Sequence, residues 1–541
     1  MAEKGQSGET SSSPTLSYTS CESSRADTTS DVADIGRWAN DEATSQQLSL
    51  LRRQTATDEL NEINTAPLFT YPILEHARSL ATLTSASLFS QYGLLAGDVQ
   101  SLQTSSEDPR IFYNVATPSS VFICGSQGSG KSHSLSCILE NCLIQSEKLG
   151  CLPRPLTGIV FHYDDYASDS HVAPCEAAYL GSDPAISVRV LCSPTNLREI
   201  KESYSKLGDI KVEALRLDQA DLNTKRMLEL MAFDRAQPLY AQVIQRILRD
   251  MRLAQQENPS KFKYREFRDK LDQENLNPDQ KRGLQQRLDT LESFMVPEQV
   301  KSNTKGEKRG MRLGTNWVPK AGELLIVDLS CPCVTTSMAC ALFNICLSIF
   351  LAQDSSLGRI IALDEAHRYM GETSDCEVLT NSLLAAIRFQ RHLGARIVIS
   401  TQEPTISPKL LDLCSITIVH RFSSPDWLNV LTQHLAGISK VARVISRIGD
   451  TDTNEEDIIS TGLRGISVSV DDPIFDLFSR IVELRTGEAL VFAPSAMVSL
   501  EKQNSPGHRV KVMPRKLAHH VLRVVMRARI TADGGRSIMA S

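Results

Sequence analysis

The chain has 541 residues, of which 41% are hydrophobic and 23% charged, and its formal net charge is −6. That balance suits a globular protein with a real core and excludes a collagen-like, wholly disordered or disulfide-scaffold chain. Lys and Arg number 58 against 64 Asp and Glu, so the chain as a whole is no polybasic binder, although residues 501–541 carry nine Lys/Arg and only two Asp/Glu.

In chain order, the first thirty residues hold fourteen Ser or Thr and almost no large apolar side chains. They cannot bury enough surface to offset the entropy of ordering, so 1–65 is expected to be a disordered tail. Over 66–114 the spacing of Ile73, Leu74, Leu80, Leu83 and Leu88 predicts a helical collar. From residue 115 the texture changes to short β-branched runs alternating with helical stretches. Eight runs read as strands: Ser120–Cys124, Thr157–His162, Ser187–Cys192, 323–329, Arg359–Leu363, 395–400, 416–420 and 489–492. Continuous apolar strands separated by helices imply a doubly wound, mostly parallel α/β sheet covered on both faces, spanning 115–198 and 313–500. Between them, 199–312 is rich in charge with helical periodicity and reads as an inserted helical subdomain closed by a polar loop at 301–310. Over 514–530, Leu517, Val521, Val524 and Val525 fall on one helical face with Arg515, Lys516, Arg523, Arg527 and Arg529 around the rest. Residues 501–541 are therefore expected to form a basic amphipathic helix and tail. Such a helix serves nucleic acid, an anionic membrane, a partner subunit, or simply docks on its own domain.

The thirteen cysteines show no C-x-x-C spacing, and several sit in apolar runs. Cys331-Pro332-Cys333 is too tight for an ordinary zinc pair and reads as a turn after a strand. Buried reduced thiols, with no apolar leader in the first thirty residues, point to an intracellular protein of nucleus or cytoplasm. The longest apolar stretch, 338–352, contains Asn344 and Ser348 and is short for a membrane span, so a buried helix is expected.

The chemistry concentrates in Gly125-Ser126-Gln127-Gly128-Ser129-Gly130-Lys131-Ser132, which satisfies G-x-x-x-x-G-K-[ST] after an apolar strand and before a helical run. Glycines let backbone amides close on phosphate oxygens, and the following helix aims its positive end at the same anion. Lys131 is expected to reach the β- and γ-phosphates of a nucleotide and the Ser132 hydroxyl to ligate Mg2+. A second acid-bearing strand, Ile360-Ile361-Ala362-Leu363-Asp364-Glu365, is expected beside the phosphate loop. Asp364 would support the Mg2+, and Glu365 would act as general base on the attacking water. Gln402, at the end of the run from Arg396, could hold the γ-phosphate or that water, or merely cap its strand. No Asn-Lys-x-Asp guanine-reading motif occurs, so ATP is the expected nucleotide.

These four segments — GSQGSGKS, the strand ending at 323–330, ALDEAHRYM at 362–370 and IVISTQEP at 397–404 — occur in the order seen in the HerA/FtsK superfamily, and the chain resembles it over roughly 115–500. The resemblance implies a RecA-like P-loop ATPase fold, Mg2+-dependent ATP hydrolysis, DNA as the translocated polymer and a homo-oligomeric, hexameric ring. It carries over Lys131 and Ser132 for nucleotide and metal, Asp364 for metal, Glu365 as base and Gln402 as sensor. It also implies that Arg391 acts on a neighbouring subunit's site, with Arg388 and Arg421 as competitors for that role. One departure stands out: HerA-type proteins usually carry a β-barrel before the core, where this chain reads as helical. The Asp364–His367 string also invites a DEAH-box helicase reading, which the missing Gln-Arg-x-Gly-Arg motif rejects. The alternative function is a nucleotide-gated switch or scaffold with little turnover.

Overall fold

A computed structural model of the chain describes residues 47, 50, 55–84, 89–105, 107–168, 172–230, 238–258, 260–300, 313–354, 356–371, 373–434, 473–503 and 511–534. Most of the expected tail, and the polar loop at 301–310, lie outside the described residues. The chain divides into Met1–Glu59 and Leu60–Ser541. Within the first, only Gln47, Leu50 and the start of a helix (Thr55–Thr65) are described, and the sheet lies wholly in the second.

That sheet has sixteen strands. In chain order they are β1 (Leu68–Thr70), β2 (Tyr92–Asp98), β3 (Arg110–Asn114), β4 (Ser120–Cys124), β5 (Gly150–Cys151), β6 (Thr157–His162), β7 (Ser187–Cys192) and β8 (Lys211–Ala214). They continue as β9 (Glu323–Asp328), β10 (Arg359–Leu363), β11 (Ala395–Thr401), β12 (Ile416–Val419), β13 (Glu488–Phe492), β14 (Met497–Gln503), β15 (Lys511–Lys516) and β16 (Leu522–Met526). The order β12-β4-β11-β10-β6-β9-β7-β8 is parallel throughout. Antiparallel β13, β16 and β2 extend it on one side. All eight expected strands form. The sheet is a mixed α/β one, with its parallel section at the centre.

Alternation along these strands covers both faces. Phe122, Ile159, Phe161, Ile361, Leu363, Ile397 and Ile399 point into one core, while Val121, Ile123, Val160, Ile360, Ala362 and Val398 point into the other. On the first face lie the apolar helix Thr336–Leu351 and the helix Ser374–Arg388. The helices at Thr224–Leu230, Pro238–Glu257, Tyr264–Asp272 and Pro278–Phe294 bury Leu248, Phe267 and Leu288 in that same core. On the second face lie the helix Lys131–Leu143 and the helix Leu197–Ser205. The run at 338–352 is accordingly a buried helix, and no described helix is long and apolar enough to cross a membrane.

The structure departs from the sequence reading in three places. The segment 66–114 does contain the expected helix, Tyr71–Thr84, but also β1, β2 and β3, which pair with one another and with β14 and β16 around a small core of Phe69, Ile73, Leu74 and Phe112. The helical periodicity of Ile73 and Leu74 was a local signal, whereas β3 exists through its pairing with β1 and β2, and β2 also through the remote β16. The segment 199–312 is not purely helical, because β8 adds a parallel edge strand beside β7. The expected basic C-terminal helix is instead β16 followed by an irregular stretch. Val524 and Val525 are β-branched, and their strand pairs with β13 and β2, edges that would otherwise be left unpaired.

The basic side chains of that segment are spent inside the chain. Arg515 pairs with Glu501, Lys516 with Glu62, Arg523 with Glu488 and Arg529 with Glu176. Arg527 Nη1 lies 2.6 Å from Glu140 Oε2, a carboxylate with no solvent exposure. Glu140 also accepts from the Thr531 amide at 3.0 Å and the Thr531 hydroxyl at 2.6 Å, which ties the C-terminal segment to the helix Lys131–Leu143. Each described cysteine is a free thiol, and Cys331-Pro332-Cys333 forms the expected turn after β9.

Candidate nucleotide-binding site

Parallel strands deliver their C-terminal ends to one edge, the usual seat of a ligand in such sheets. There Gly125 follows β4, Asp364 and Glu365 follow β10, Gln402 follows β11 and His420 follows β12. The acids were expected on the strand beside the phosphate loop. Instead β11 lies between β4 and β10, with Cys124 opposite Thr401 and Leu363 opposite Ile399, so the acids approach the loop across one intervening strand.

The loop from Gly125 to Gly130 turns back on itself. Gly125 has φ +152°, and a Cβ there would fall 2.7 Å from His420 Cβ and 2.9 Å from Ser129 Oγ. Gly130, at φ +115°, approaches the Gly487 backbone within 3.2 Å of where a Cβ would sit. No side chain fits either position, and the left-handed backbone at Gly130 independently favours glycine. Beyond the loop wall, Ser126 donates from both its amide and its hydroxyl to the Arg421 carbonyl, at 2.9 and 2.8 Å. Gln127 and Gly128 are exposed at the tip, Ser129 is buried, and Ser132 sits half-buried in the first turn of the helix.

Lys131 is 4% exposed and donates to the Ser126 carbonyl at 3.1 Å. Burial pulls its pKa below the usual lysine value, while the facing charges of Glu365 and Asp364 push it back up. The ammonium and both acids therefore share one pocket of field.

Glu365 occupies a left-handed conformation, φ 47° and ψ 47°, unusual for a residue with a Cβ and costing about 1–2 kcal/mol. A short turn, Ala366–Arg368, holds it there through Arg368 N–H donating to its carbonyl at 2.9 Å. Arg368 in turn pairs with Asp164 and Asp165 beyond β6. Burial first, and then neighbouring Asp364, raise the Glu365 pKa; Lys131 opposes them. Gln402 Nε2 donates to Glu365 Oε2 at 3.4 Å, and the Gln402 amide donates to His367 Nδ1 at 3.3 Å. Burial and the charge of Arg368 press the His367 pKa down to about 4, so the ring is neutral and its Nδ1 accepts. Its 3.3 Å approach to Glu365 Oε2 is thus not an ion pair at neutral pH.

Asp364 is 2% exposed. Its Oδ2 lies near His162 and Cys175, while its Oδ1 has no hydrogen-bond partner. The floor of the loop is His420, fully buried, with Nδ1 2.9 Å from the Glu488 carbonyl and Nε2 2.8 Å from Ser134 Oγ. Because a carbonyl only accepts, Nδ1 carries the hydrogen and Nε2 receives the serine hydroxyl. Burial lowers this pKa to about 4.

Lys131, Asp364, Glu365 and Gln402 thus converge. Arg391 does not. It is exposed on the short helix Gln390–Leu393 that enters β11 at the end opposite Gln402. Seven strand residues separate the two ends, roughly 20 Å at about 3.3 Å per residue, which removes Arg391 from the loop. Arg421 lies beside that loop, and Arg388 is exposed at the end of its helix. His367, His420 and Arg368 are site residues that motif reading passed over. The available signal was a histidine directly after a buried strand, where polar groups need partners.

No protein-family model matches the chain, and no curated protein does. Among solved structures it is similar to VirB4 of Thermoanaerobacter pseudethanolicus at 12% identity and a TM-score of 0.40, covering 81% of this chain and 96% of that one. It is similar to the plasmid coupling protein TrwB in complex with the non-hydrolysable ATP analogue ADPNP, at 14% identity and a TM-score of 0.39, covering 83% and 97%. The genome packaging NTPase B204 of Sulfolobus turreted icosahedral virus 2, in complex with AMP, aligns at 12% identity and a TM-score of 0.19, covering 35% and 66%.

Proposed function

We propose that this chain is a Mg2+-dependent P-loop ATPase of HerA-like type, which cleaves the β–γ bond of ATP by water attack and couples this to movement of DNA through a homo-oligomeric ring. One observation carries the reading: a buried lysine at the mouth of a glycine turn, facing two acids delivered by a nearby strand of the same sheet. In that arrangement the ammonium and the loop amides can meet a phosphate from one side, and the acids its metal ion and the attacking water from the other. The loop amides and the start of the helix Lys131–Leu143 bind phosphate. Lys131 releases the Ser126 carbonyl and takes up phosphate oxygens.

Two oxygens suit a magnesium ion: the Ser132 hydroxyl and Asp364 Oδ1, the latter buried without a partner. The ion supplies charge neutralisation on the β- and γ-phosphates. Glu365 accepts the proton of the attacking water, and its raised pKa matches that of a general base working nearer neutrality. Gln402, tied to Glu365 through its amide, orients that base or the water. Arg391, exposed and remote from this chain's own loop, would act on a neighbouring subunit's site in the ring proposed here.

The DNA and ring components rest on the motif order, and they are tested together. Sizing with and without ATP reads ring assembly, and turnover is then measured with and without duplex DNA across a salt series. A ring whose ATPase rises with DNA, with stimulation falling steeply as salt increases, supports the translocase. A monomer with tight ATP binding and no DNA response supports a nucleotide-gated switch instead.

A further inference from the structure

Behind Asp364, on the side its Oδ2 faces, two side chains meet it that the nucleotide chemistry does not use. His162 ends β6, and Cys175 directly precedes the short helical turn Glu176–Ser182. The ligand-type atoms of His162, Cys175 and Asp364 all lie within 4.8 Å of one another. Two of the separations are 3.4 Å, from His162 Nδ1 to Asp364 Oδ2, and 3.7 Å, from Cys175 Sγ to the same oxygen. A tetrahedral zinc ion with bonds of about 2.0–2.2 Å to N and O and about 2.3 Å to S sets its ligands roughly 3.3–3.7 Å apart. The two separations to Asp364 Oδ2 already have that spacing, and the third lies within 4.8 Å.

The second observation is the state of His162. It is 8% exposed; its Nδ1 lies 3.4 Å from Asp364 Oδ2 as an ion-pair contact without a regular hydrogen bond, and its Nε2 has no hydrogen-bond partner. A buried polar atom left unpaired costs about 1–3 kcal/mol, so that Nε2 calls for an explanation. Cys175 is fully buried and firmly held: its amide donates to Tyr204 Oη at 2.9 Å, and that hydroxyl donates to Asp328 Oδ2 at 2.6 Å. Such outer bonds fix ligands in built metal sites.

The geometry points to a transition-metal site in which His162, Cys175 and Asp364 Oδ2 bind one ion of the zinc class, with the fourth position taken by water. Thiolate and imidazole donors select zinc-like ions over Mg2+ or Ca2+, which take oxygen ligands. On binding, the Cys175 thiol and the imidazolium form of His162 give their protons to solvent, so uptake is favoured by rising pH. Asp364 Oδ1 stays outside this set, and the site does not depend on whether the chain hydrolyses ATP.

The full-length protein, stripped with a chelator, is titrated with Co2+ alone. The expected result is one equivalent bound, with a thiolate-to-cobalt charge-transfer band and the strong visible bands of a four-coordinate ion, both erased by Zn2+. Cys175→Ser loses the charge-transfer band and weakens Zn2+ binding by about 100-fold or more, given that even outer-shell changes cost about 10–100-fold. Cys333→Ser, at an exposed cysteine outside the cluster, keeps the band. X-ray absorption of the zinc-loaded wild-type protein, which needs no variant to fold, should show one sulfur neighbour at about 2.3 Å with the rest N or O. A wild-type protein without the charge-transfer band, a zinc shell without sulfur, or a Cys175→Ser variant that binds like wild type overturns the assignment.

Discussion

Glu365→Gln separates binding from chemistry at this site. The substitution keeps the size and shape of the side chain, and the left-handed backbone at φ 47° is already maintained by the Arg368 hydrogen bond. What it removes is one carboxylate beside Asp364 and the ability to take a proton from water. General-base catalysis is worth about 10²–10⁴-fold, so kcat should fall by that factor, or about 2.7–5.4 kcal/mol of barrier. Nucleotide affinity should hold or tighten, because a negative charge facing the phosphates is gone while Lys131 and the loop are untouched. The pH dependence gives an independent check. Wild-type turnover should drop as pH falls through the raised pKa of Glu365, and the variant's residual turnover should lack that limb.

Stability should move in the variant's favour. A carboxylate whose folded pKa is raised contributes stability below its unfolded pKa, and this is lost as pH rises through the folded value. At neutral pH the wild-type protein therefore bears the cost of a desolvated charge that glutamine does not. Steady-state ATPase with separate kcat and KM, nucleotide calorimetry and a denaturant midpoint test all three. A Glu365→Gln protein with normal kcat, or one that retains the acidic limb, would refute Glu365 as the base.

Three other consequences can be measured directly. Lys131→Ala should weaken ATP binding by about 10²–10⁴-fold in calorimetry, two lost charge-assisted bonds at about 1.5–3 kcal/mol each, and should also lower apo stability, because Asp364 and Glu365 lose the cation that faces them. His420 is neutral in the fold with a pKa of about 4 against 6.5 unfolded, so its contribution is present above pH 6.5 and lost as pH falls towards 4. At about 1.4 kcal/mol per pH unit, wild type should lose up to ~3 kcal/mol more than His420→Gln across that window, read from urea midpoints. Arg527→Ala should cost about 3–5 kcal/mol in the same assay, since it strands the fully buried Glu140 carboxylate without its cation.

What could be read from the chain alone was local. Seven residues from Gly125 to Lys131 announce a phosphate loop because glycines are the only residues that let a backbone take φ +152° and +115° there without a collision. The eight β-branched runs announce strands because such side chains fit a pleated sheet buried on both faces. The acid pair after Leu363 announces a strand end.

Pairing was not local, and only the tertiary structure decided it. That β11 stands between the loop strand and the acid strand follows from its pairing with β10 on one side and, on the other, with β4, more than two hundred residues away in sequence. The same holds for β16, whose valines carry a helical spacing yet go to a strand because two partner edges are available. The five basic side chains near the C-terminus suit either a binding surface or docking on the chain's own domain, and only their carboxylate partners, drawn from Glu62 to Glu501, decide for the second. His162 and Cys175 carried no motif at all. His162 meets Asp364 because the adjacent parallel strands β6 and β10 end at one edge, and Cys175 reaches them from the turn at Glu176–Ser182; neither composition nor periodicity encodes which residues a sheet will bring face to face.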